Sequence, residues 1–216
     1  MEYILNSTSS VVVDDVIATI QENAAFLSEI DGLIGDGDHG INMNKSANLC
    51  KERMKGKQVD LTTALKTLSQ IMLTEIGGSM GPLYGTFFNE MSKACKNRGK
   101  IDAVVFRDML DASLAGIQRL TNAKIGDKTL IDTLVPAIHA YKKAIDDKKE
   151  FKEALEAMKV AAERGKDSTT ELIAQIGRAS RLGERTKGFL DPGAASCWLI
   201  LQTMADSIIH LLYELS

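Results

Sequence analysis

Three aspartates crowd one short segment of the chain and could together bind a metal ion. Asp31, Asp36 and Asp38 lie in a stretch that also holds four glycines. Like charges held so close need a counter-charge, and short acidic side chains on flexible backbone suit Mg²⁺ or Ca²⁺. The same residues could instead be helix caps and turn formers. An EF-hand is excluded because Gly40 and Ala47 stand where its third and last acidic ligands belong. So few carboxylates leave room for phosphate oxygens, which favours Mg²⁺ bridging a nucleotide.

Glycine is concentrated in three windows that could bind phosphate. Twelve of the 17 glycines fall in 32–40, 77–85 and 177–193. The second window precedes a predicted helix, whose N-terminal N–H groups could bind an anion, although a tight turn explains it equally well. The third carries Arg178, Arg181 and Arg185, which would share one face of a helix. They form either a solvated basic loop or the cationic part of a phosphate site. No GxxxxGK[ST] loop occurs.

The remaining sequence follows a helical period almost throughout. Apolar residues recur at three- and four-residue steps, and Asp60, Asp102 and Asp191 are predicted N-caps. Strand evidence is poor, because the only valine-rich runs lie inside helical periodicity. We therefore expect one all-α domain over 1–216, a bundle of about eight antiparallel amphipathic helices. They are predicted at 11–30, 41–55, 60–76, 82–97, 102–120, 129–145 with a kink at Pro136, 149–176 and 191–215.

The order of the helices predicts where the glycine windows meet. In an up-and-down bundle alternate connections share one end. The three windows connect helices 1–2, 3–4 and 7–8, and the segment 121–128 connects helices 5–6. All four connections therefore fall at the same end, provided that the helices alternate in direction.

Charge and cysteine content exclude several other classes. A net charge of −3 gives no electrostatic footprint for nucleic acid. No apolar run is expected to be long enough to span a membrane, and the N-terminus lacks the pattern of a signal peptide. The three cysteines show no CxxC spacing, so we expect free thiols and a cytoplasmic location.

The motifs in these windows, taken together, resemble a known family. Gly35-Asp-Gly-Asp-His-Gly-Ile-Asn-Met, the run GGSMGPLYGTFF at 77–88, Gly126-Asp-Lys-Thr, Leu182-Gly-Glu-Arg and Asp191-Pro-Gly-Ala are similar to the nucleotide-binding L domain of dihydroxyacetone kinases. They occur in the family's order across nearly the whole chain. The resemblance implies a barrel of eight antiparallel helices with nucleotide at one end.

The resemblance also implies a set of ligand contacts. Two Mg²⁺ ions would be held by Asp31, Asp36 and Asp38, and Arg178 would help to position phosphate. Three positions depart from the family's usual residues: Met80 stands for a serine, Thr121 for a glycine and Leu130 for a methionine. The implied contacts to ADP or ATP are His39, Gly40, Ile41, Asn42, Met43, Ser79, Met80, Thr121, Leu130, Arg178, Asp191, Pro192 and Gly193.

In that family a stand-alone L subunit keeps ADP as a resident cofactor. The resemblance implies that a phosphohistidine partner, DhaM, recharges it and that the phosphoryl group passes to dihydroxyacetone on DhaK. Two alternatives remain open at this stage. The chain could be a non-enzymatic nucleotide sensor that docks on a transcription regulator, or a paralogue that acts on a related ketose.

Overall fold

The computed structural model describes residues 2–214 and is all-α, as the sequence predicts. Eight α-helices occur in this part of the chain. They are α1 (Val11–Ile34), α2 (His39–Met54), α3 (Leu61–Glu75), α4 (Met80–Cys95), α5 (Ala103–Gln118), α6 (Ile131–Asp146), α7 (Phe151–Ser168) and α8 (Pro192–Glu214). Short 3₁₀ turns lie at Asn6–Thr8, Thr169–Glu171 and Ala179–Thr186.

The helices form a closed ring in the order of the chain. Each helix packs against the next, and α8 packs back against α1. The inward faces make one continuous hydrophobic core, whose largest fully buried side chains include Phe88, Phe106 and Tyr141. Because helices that follow one another in the chain are neighbours that alternate in direction around the ring, alternate connections lie at the same end.

The helix boundaries follow local signals where these are strong. Thr63 N donates to Asp60 Oδ1 at 2.7 Å, Val105 N to Asp102 Oδ1 at 2.9 Å and Ala194 N to Asp191 Oδ2 at 2.7 Å, so the three predicted N-caps are confirmed. Helix α4 starts at Met80 rather than at Pro82, since proline is tolerated in a first turn.

Two expectations about helix length and continuity need correction. The helix predicted to reach 176 ends at Ser168 and is followed by a 3₁₀ turn and an irregular segment. Helix α6 is not interrupted at Pro136, although this sixth residue of the helix has no N–H to donate to the carbonyl four residues earlier; the kink expected there stays a prediction.

A small antiparallel sheet was not predicted from the sequence. Strand β1 (Tyr3–Leu5) pairs with β2 (Lys100–Asp102), and Ile4 lies opposite Ile101. Both isoleucines are fully buried. The sheet joins the start of the chain to the α4–α5 connection, at the end of the ring opposite to the glycine windows.

The last helix, α8, bears on the expectation about membrane-spanning segments. The segment Pro192–Leu212 is long and apolar enough to cross a membrane, which corrects the expectation that no such run exists, but 67% of its apolar window is buried inside the fold. A core helix has this character.

Cys50, Cys95 and Cys197 are free and buried, as expected, and burial raises the pKa of each thiol.

Candidate nucleotide site

A cavity of about 670 Å³ opens at the end of the ring where the glycine windows lie. Residues from the α1–α2, α3–α4, α5–α6 and α7–α8 connections line it together. The predicted convergence of these four connections is therefore confirmed. The helices supply a rigid frame, and the first turns of α2, α4 and α8 contribute residues to the wall.

The acidic cluster lies in this wall. One carboxylate oxygen each of Asp31, Asp36 and Asp38 lies within 4.8 Å of the others. Asp31 is buried in the last turn of α1, where its Oδ2 accepts from the backbone N of His39 at 3.1 Å. A Cβ on Gly35 would lie 2.2 Å from Asp31 Oδ1, so only glycine leaves room for this carboxylate. Three converging carboxylates form a donor set that fits a hard divalent cation.

Arg178 joins the third glycine window to the first. Its guanidinium forms an ion pair with the Asp36 carboxylate across the cavity mouth. The segment that carries Arg178, Arg181 and Arg185 is not one regular helix, so the condition under which the three arginines would share a helical face is not met. The segment Ala179–Thr186 is 3₁₀ and is broken at Gly183, which has φ 55° and ψ −130°. Of the three arginines, only Arg178 lines the cavity.

On another side of the cavity Lys128 holds two connections together. Its side chain is 1% exposed, and its ammonium donates to the carbonyls of Thr169 and Phe189. Desolvation lowers the pKa of Lys128, while the neighbouring carboxylates of Asp191 and Asp132 oppose that shift. The ammonium thus ties the α5–α6 connection to both ends of the α7–α8 connection, which carries Arg178.

Asp191 combines a structural and an electrostatic role at the start of α8. It caps the helix, and its backbone N donates to Thr169 Oγ1 at 3.1 Å. Burial raises the pKa of Asp191 to about 7, although the N–H donor of Ala194 and the charge of Lys128 pull it down. The carboxyl group therefore changes charge near neutral pH, beside the place predicted for nucleotide.

His39 begins α2 and is buried behind the acidic cluster. Its Nε2 lies 2.9 Å from Ser196 Oγ, which in turn lies 2.6 Å from the hydroxyl of Tyr84. Burial lowers the pKa of His39 to about 4, so the ring is neutral at pH 7. These contacts connect α2, α4 and α8 beneath the cavity.

Thirteen of the sixteen predicted site residues line the cavity, and Gly40, Ile41 and Met43 do not. Gly40 packs against α1, Ile41 is 66% exposed and Met43 is fully buried in the core. The side chains of Ile41 and Met43 lie on different sides of α2, one in solvent and one in the core, so neither meets the cavity. Gly40 allows the close approach of α2 to α1 that positions the acidic cluster.

Several residues of the wall were not predicted as site residues. Lys128 and Tyr84 lie within quoted motifs, so a signal for them was present in the sequence. Leu120 and Ile176 line the cavity while remaining 51% and 39% exposed, and Ser196 lies behind the wall. No sequence pattern marks these three residues, because they meet the site only through the packing of the ring.

The fold and the site together define an all-α protein with an acidic, glycine-rich cavity suited to a metal and a phosphate group. The DAK2 domain family matches residues 33–206. An ADP-binding subunit DhaL of a PEP-dependent dihydroxyacetone kinase from Listeria innocua is 39% identical, over 87% of this chain and 89% of its own length. The Escherichia coli protein of that description is 34% identical, over 88% and 90%.

Solved structures show the same fold. The dihydroxyacetone kinase of C. freundii in its native form superposes with a TM-score of 0.71 at 24% identity, over 94% of this chain and 34% of that one. Its complex with AMP-PNP and Mg²⁺ gives a TM-score of 0.68 at 23% identity, over 96% and 35%. The family match and the identity to the DhaL subunits show that the chain belongs to the DAK2 domain family.

Proposed function

We propose that this chain is the ADP-binding subunit of a phosphoenolpyruvate-dependent dihydroxyacetone kinase. The observation that carries the proposal is the meeting of the Asp31, Asp36 and Asp38 carboxylates with Arg178 at the mouth of one cavity. A diphosphate needs cations on its oxygens, and the cluster and the guanidinium offer both a metal site and a fixed positive charge. The names of the DhaL relatives support this assignment.

The residues present fit both the metal and the nucleotide. Asp31, Asp36 and Asp38 would hold Mg²⁺, two ions by the family resemblance, because their oxygens converge and the Asp31 carboxylate is held by the His39 N–H. When bound, Mg²⁺ and nucleotide supply a phosphoryl carrier between a phosphohistidine on DhaM and dihydroxyacetone on DhaK.

The chain's own residues bind and orient the nucleotide. Backbone N–H groups in the first turns of α2 and α4 are available as donors to phosphate oxygens, since the first N–H groups of a helix have no partner within it. The backbone N–H groups of His39 and Ala194 already donate to Asp31 and Asp191. Arg178 supplies a charge that can pair with phosphate as it pairs with Asp36. No nucleophile of the chain lines the cavity in a triad-like arrangement within the described residues. The role is therefore charge neutralisation and positioning.

The proposal assigns the chain to the cytoplasm, where its three free thiols would stay reduced. The partners are DhaK, which presents the ketose, and DhaM, which donates the phosphoryl group. The cavity mouth, where Arg178 meets the acidic cluster, is where both must reach.

Two linked experiments test the function. Purified protein is denatured and the released nucleotide is identified, and the protein is then assayed with DhaK, DhaM and phosphoenolpyruvate on several ketoses. We expect bound ADP and formation of dihydroxyacetone phosphate. The variant Asp36→Asn should lose Mg²⁺-dependent nucleotide retention, whereas Asp108→Asn, a surface carboxylate on α5 paired with Arg107, should not.

Each other outcome is informative. Absence of bound nucleotide, together with no binding of added ADP and Mg²⁺, would refute the proposal. Turnover of a different ketose but not of dihydroxyacetone would keep the phosphoryl-transfer role and correct the substrate. Nucleotide binding without turnover on any ketose would contradict the kinase role and leave a binding protein.

A further inference from the structure

A buried hydrogen-bond chain connects three of the helix ends that form the cavity. His39 is the first residue of α2, Tyr84 lies in the second turn of α4, and Ser196 lies in the second turn of α8. All three are buried, and Tyr84 also reaches the carbonyl of Gly193 in the first turn of α8, at 3.1 Å. The hydrogen-bond chain therefore joins residues from all three glycine windows.

The number of protons fixes His39 as a donor in this hydrogen-bond chain. The contacts are His39 Nε2 to Ser196 Oγ, Ser196 Oγ to the Tyr84 hydroxyl, and the Tyr84 hydroxyl to Gly193 O, at 2.9, 2.6 and 3.1 Å. A carbonyl only accepts, and each hydroxyl donates one proton. Ser196 Oγ also lies 3.2 Å from Gly193 O, so three protons serve four contacts. Three of the four are made only when His39 Nε2–H donates to Ser196, with either Ser196 or Tyr84 donating to Gly193 O.

The opposite direction leaves a second contact without a proton. If His39 Nε2 accepted from Ser196, then the Tyr84 proton would have to serve either Ser196 Oγ or Gly193 O. One choice leaves the carbonyl contact unmade, and the other places two oxygens 2.6 Å apart with no proton between them. A buried polar contact without its proton is costly, so the arrangement in which His39 Nε2–H donates is favoured.

We propose that Tyr84 and Ser196 are positioning residues that hold His39, with its proton on Nε2, and lock the first turns of α2 and α8 in the spacing that the nucleotide site requires. The inference rests on the proposed function for its effect on ADP. Neither side chain forms a hydrogen bond with the acidic cluster in the described part of the chain, so both act through His39 and Gly193. His39 N is the donor to Asp31 Oδ2, so a shift of this residue reaches the metal ligands directly.

The variants Tyr84→Phe and Ser196→Ala break the chain at two different bonds. Matched controls remove equivalent groups elsewhere. Tyr141→Phe deletes a buried hydroxyl that donates to Ala103 O at 2.9 Å, near the opposite end of the ring. Ser113→Ala deletes a fully buried hydroxyl that donates to Leu110 O at 2.7 Å within α5.

Two measurements are made on each variant. The first is the Kd for ADP with Mg²⁺, which we expect to rise about tenfold in Tyr84→Phe and Ser196→Ala and to stay unchanged in both controls. The second is a long-range ¹H–¹⁵N spectrum of the side chain of His39. The chain has only three histidines, so the signals are easily assigned.

The spectrum separates positioning from general stability. The wild-type protein should show His39 protonated on Nε2, and the two variants should lose that fixed pattern, while the controls keep it. Ser196→Thr, which retains a hydroxyl, should restore both the spectrum and the affinity. A proton on Nδ1 alone in the wild type, or wild-type spectra and Kd in both Tyr84→Phe and Ser196→Ala, would overturn the inference.

Failure of the proposed function would look different. If the wild-type protein bound no ADP, the nucleotide measurement would refute the function for every variant alike. The His39 spectrum of the nucleotide-free protein would still report whether Tyr84 and Ser196 hold the ring.

Discussion

Gly40 lets helix α2 pack directly against the backbone of α1. A Cβ at this position would lie 1.9 Å from the carbonyl oxygen of Ala24, 2.6 Å from Ser28 Oγ and 2.7 Å from Ser28 N. Two of these atoms belong to the backbone of a helix and cannot swing away. Gly32, in the last turn of α1, provides a matched control because nothing lies within 4 Å of a Cβ built there.

These contacts set the expected change in the free energy of unfolding. Overpacking a tight interface costs about 1–3 kcal/mol, and we expect Gly40→Ala to lie at the upper end, about 3 kcal/mol, because α2 as a whole must shift. Gly32→Ala should instead stabilise by about 0.5 kcal/mol, since alanine lowers the entropy of the unfolded chain. For a domain of this size, 3 kcal/mol corresponds to a loss of roughly 6–12 °C in Tm.

Urea unfolding followed by circular dichroism measures both changes, and ADP binding in Mg²⁺ measures the consequence at the site. Because His39 N donates to Asp31 Oδ2, a displaced α2 disturbs the acidic cluster, so Gly40→Ala should also weaken ADP binding while Gly32→Ala does not. Wild-type stability in Gly40→Ala would refute the close approach of α1 and α2. Lowered stability with unchanged ADP binding would refute the link between that approach and the site.

Three further predictions concern the charged residues of the cavity. Because burial raises the pKa of Asp191 from 3.8 to about 7, the folded state binds this proton more tightly than the unfolded state does. In urea titrations the free energy of unfolding of the wild type should therefore fall by up to about 4 kcal/mol relative to Asp191→Asn as pH rises from 4 to 7. Parallel pH profiles of the two proteins would contradict the raised pKa. Lys128→Met leaves two carbonyls without their buried donor and should cost about 2 kcal/mol in the same assay, against less than about 1 kcal/mol for Lys142→Met, a half-exposed ion pair with Asp111. Arg178→Ala should weaken ADP binding about tenfold or more by calorimetry without lowering Tm, since the side chain is 60% exposed, and an unchanged Kd would exclude a phosphate contact.

The sequence predicts those parts of the fold that depend on local chemistry. N-caps such as Asp60 and Asp102 indicate helix starts because the N–H group that donates to each carboxylate lies only two or three residues further along the chain. The four connections could be assigned to one end by counting helices. The three-residue strands at Tyr3–Leu5 and Lys100–Asp102 were missed because their pairing is non-local and each is too short to show a period.

The candidate site also contains residues that local sequence predicts and residues that it does not. The acidic cluster could be predicted because its three aspartates are close in sequence. The contacts of Lys128 with Thr169 and Phe189, and the chain from His39 through Ser196, join residues 41 to 157 positions apart. Only the packing of the ring brings these residues together, so their roles could not be deduced from spacing.

Calorimetric titration of ADP into nucleotide-free protein, in Mg²⁺ and again in EDTA, measures whether the cavity binds ADP through a metal ion at the acidic cluster. We expect one ADP per chain, with a Kd at least about tenfold lower in Mg²⁺, because the carboxylates of the acidic cluster repel the diphosphate unless a cation lies between them. Equal affinity in Mg²⁺ and EDTA, or no heat of binding in either, would contradict this expectation.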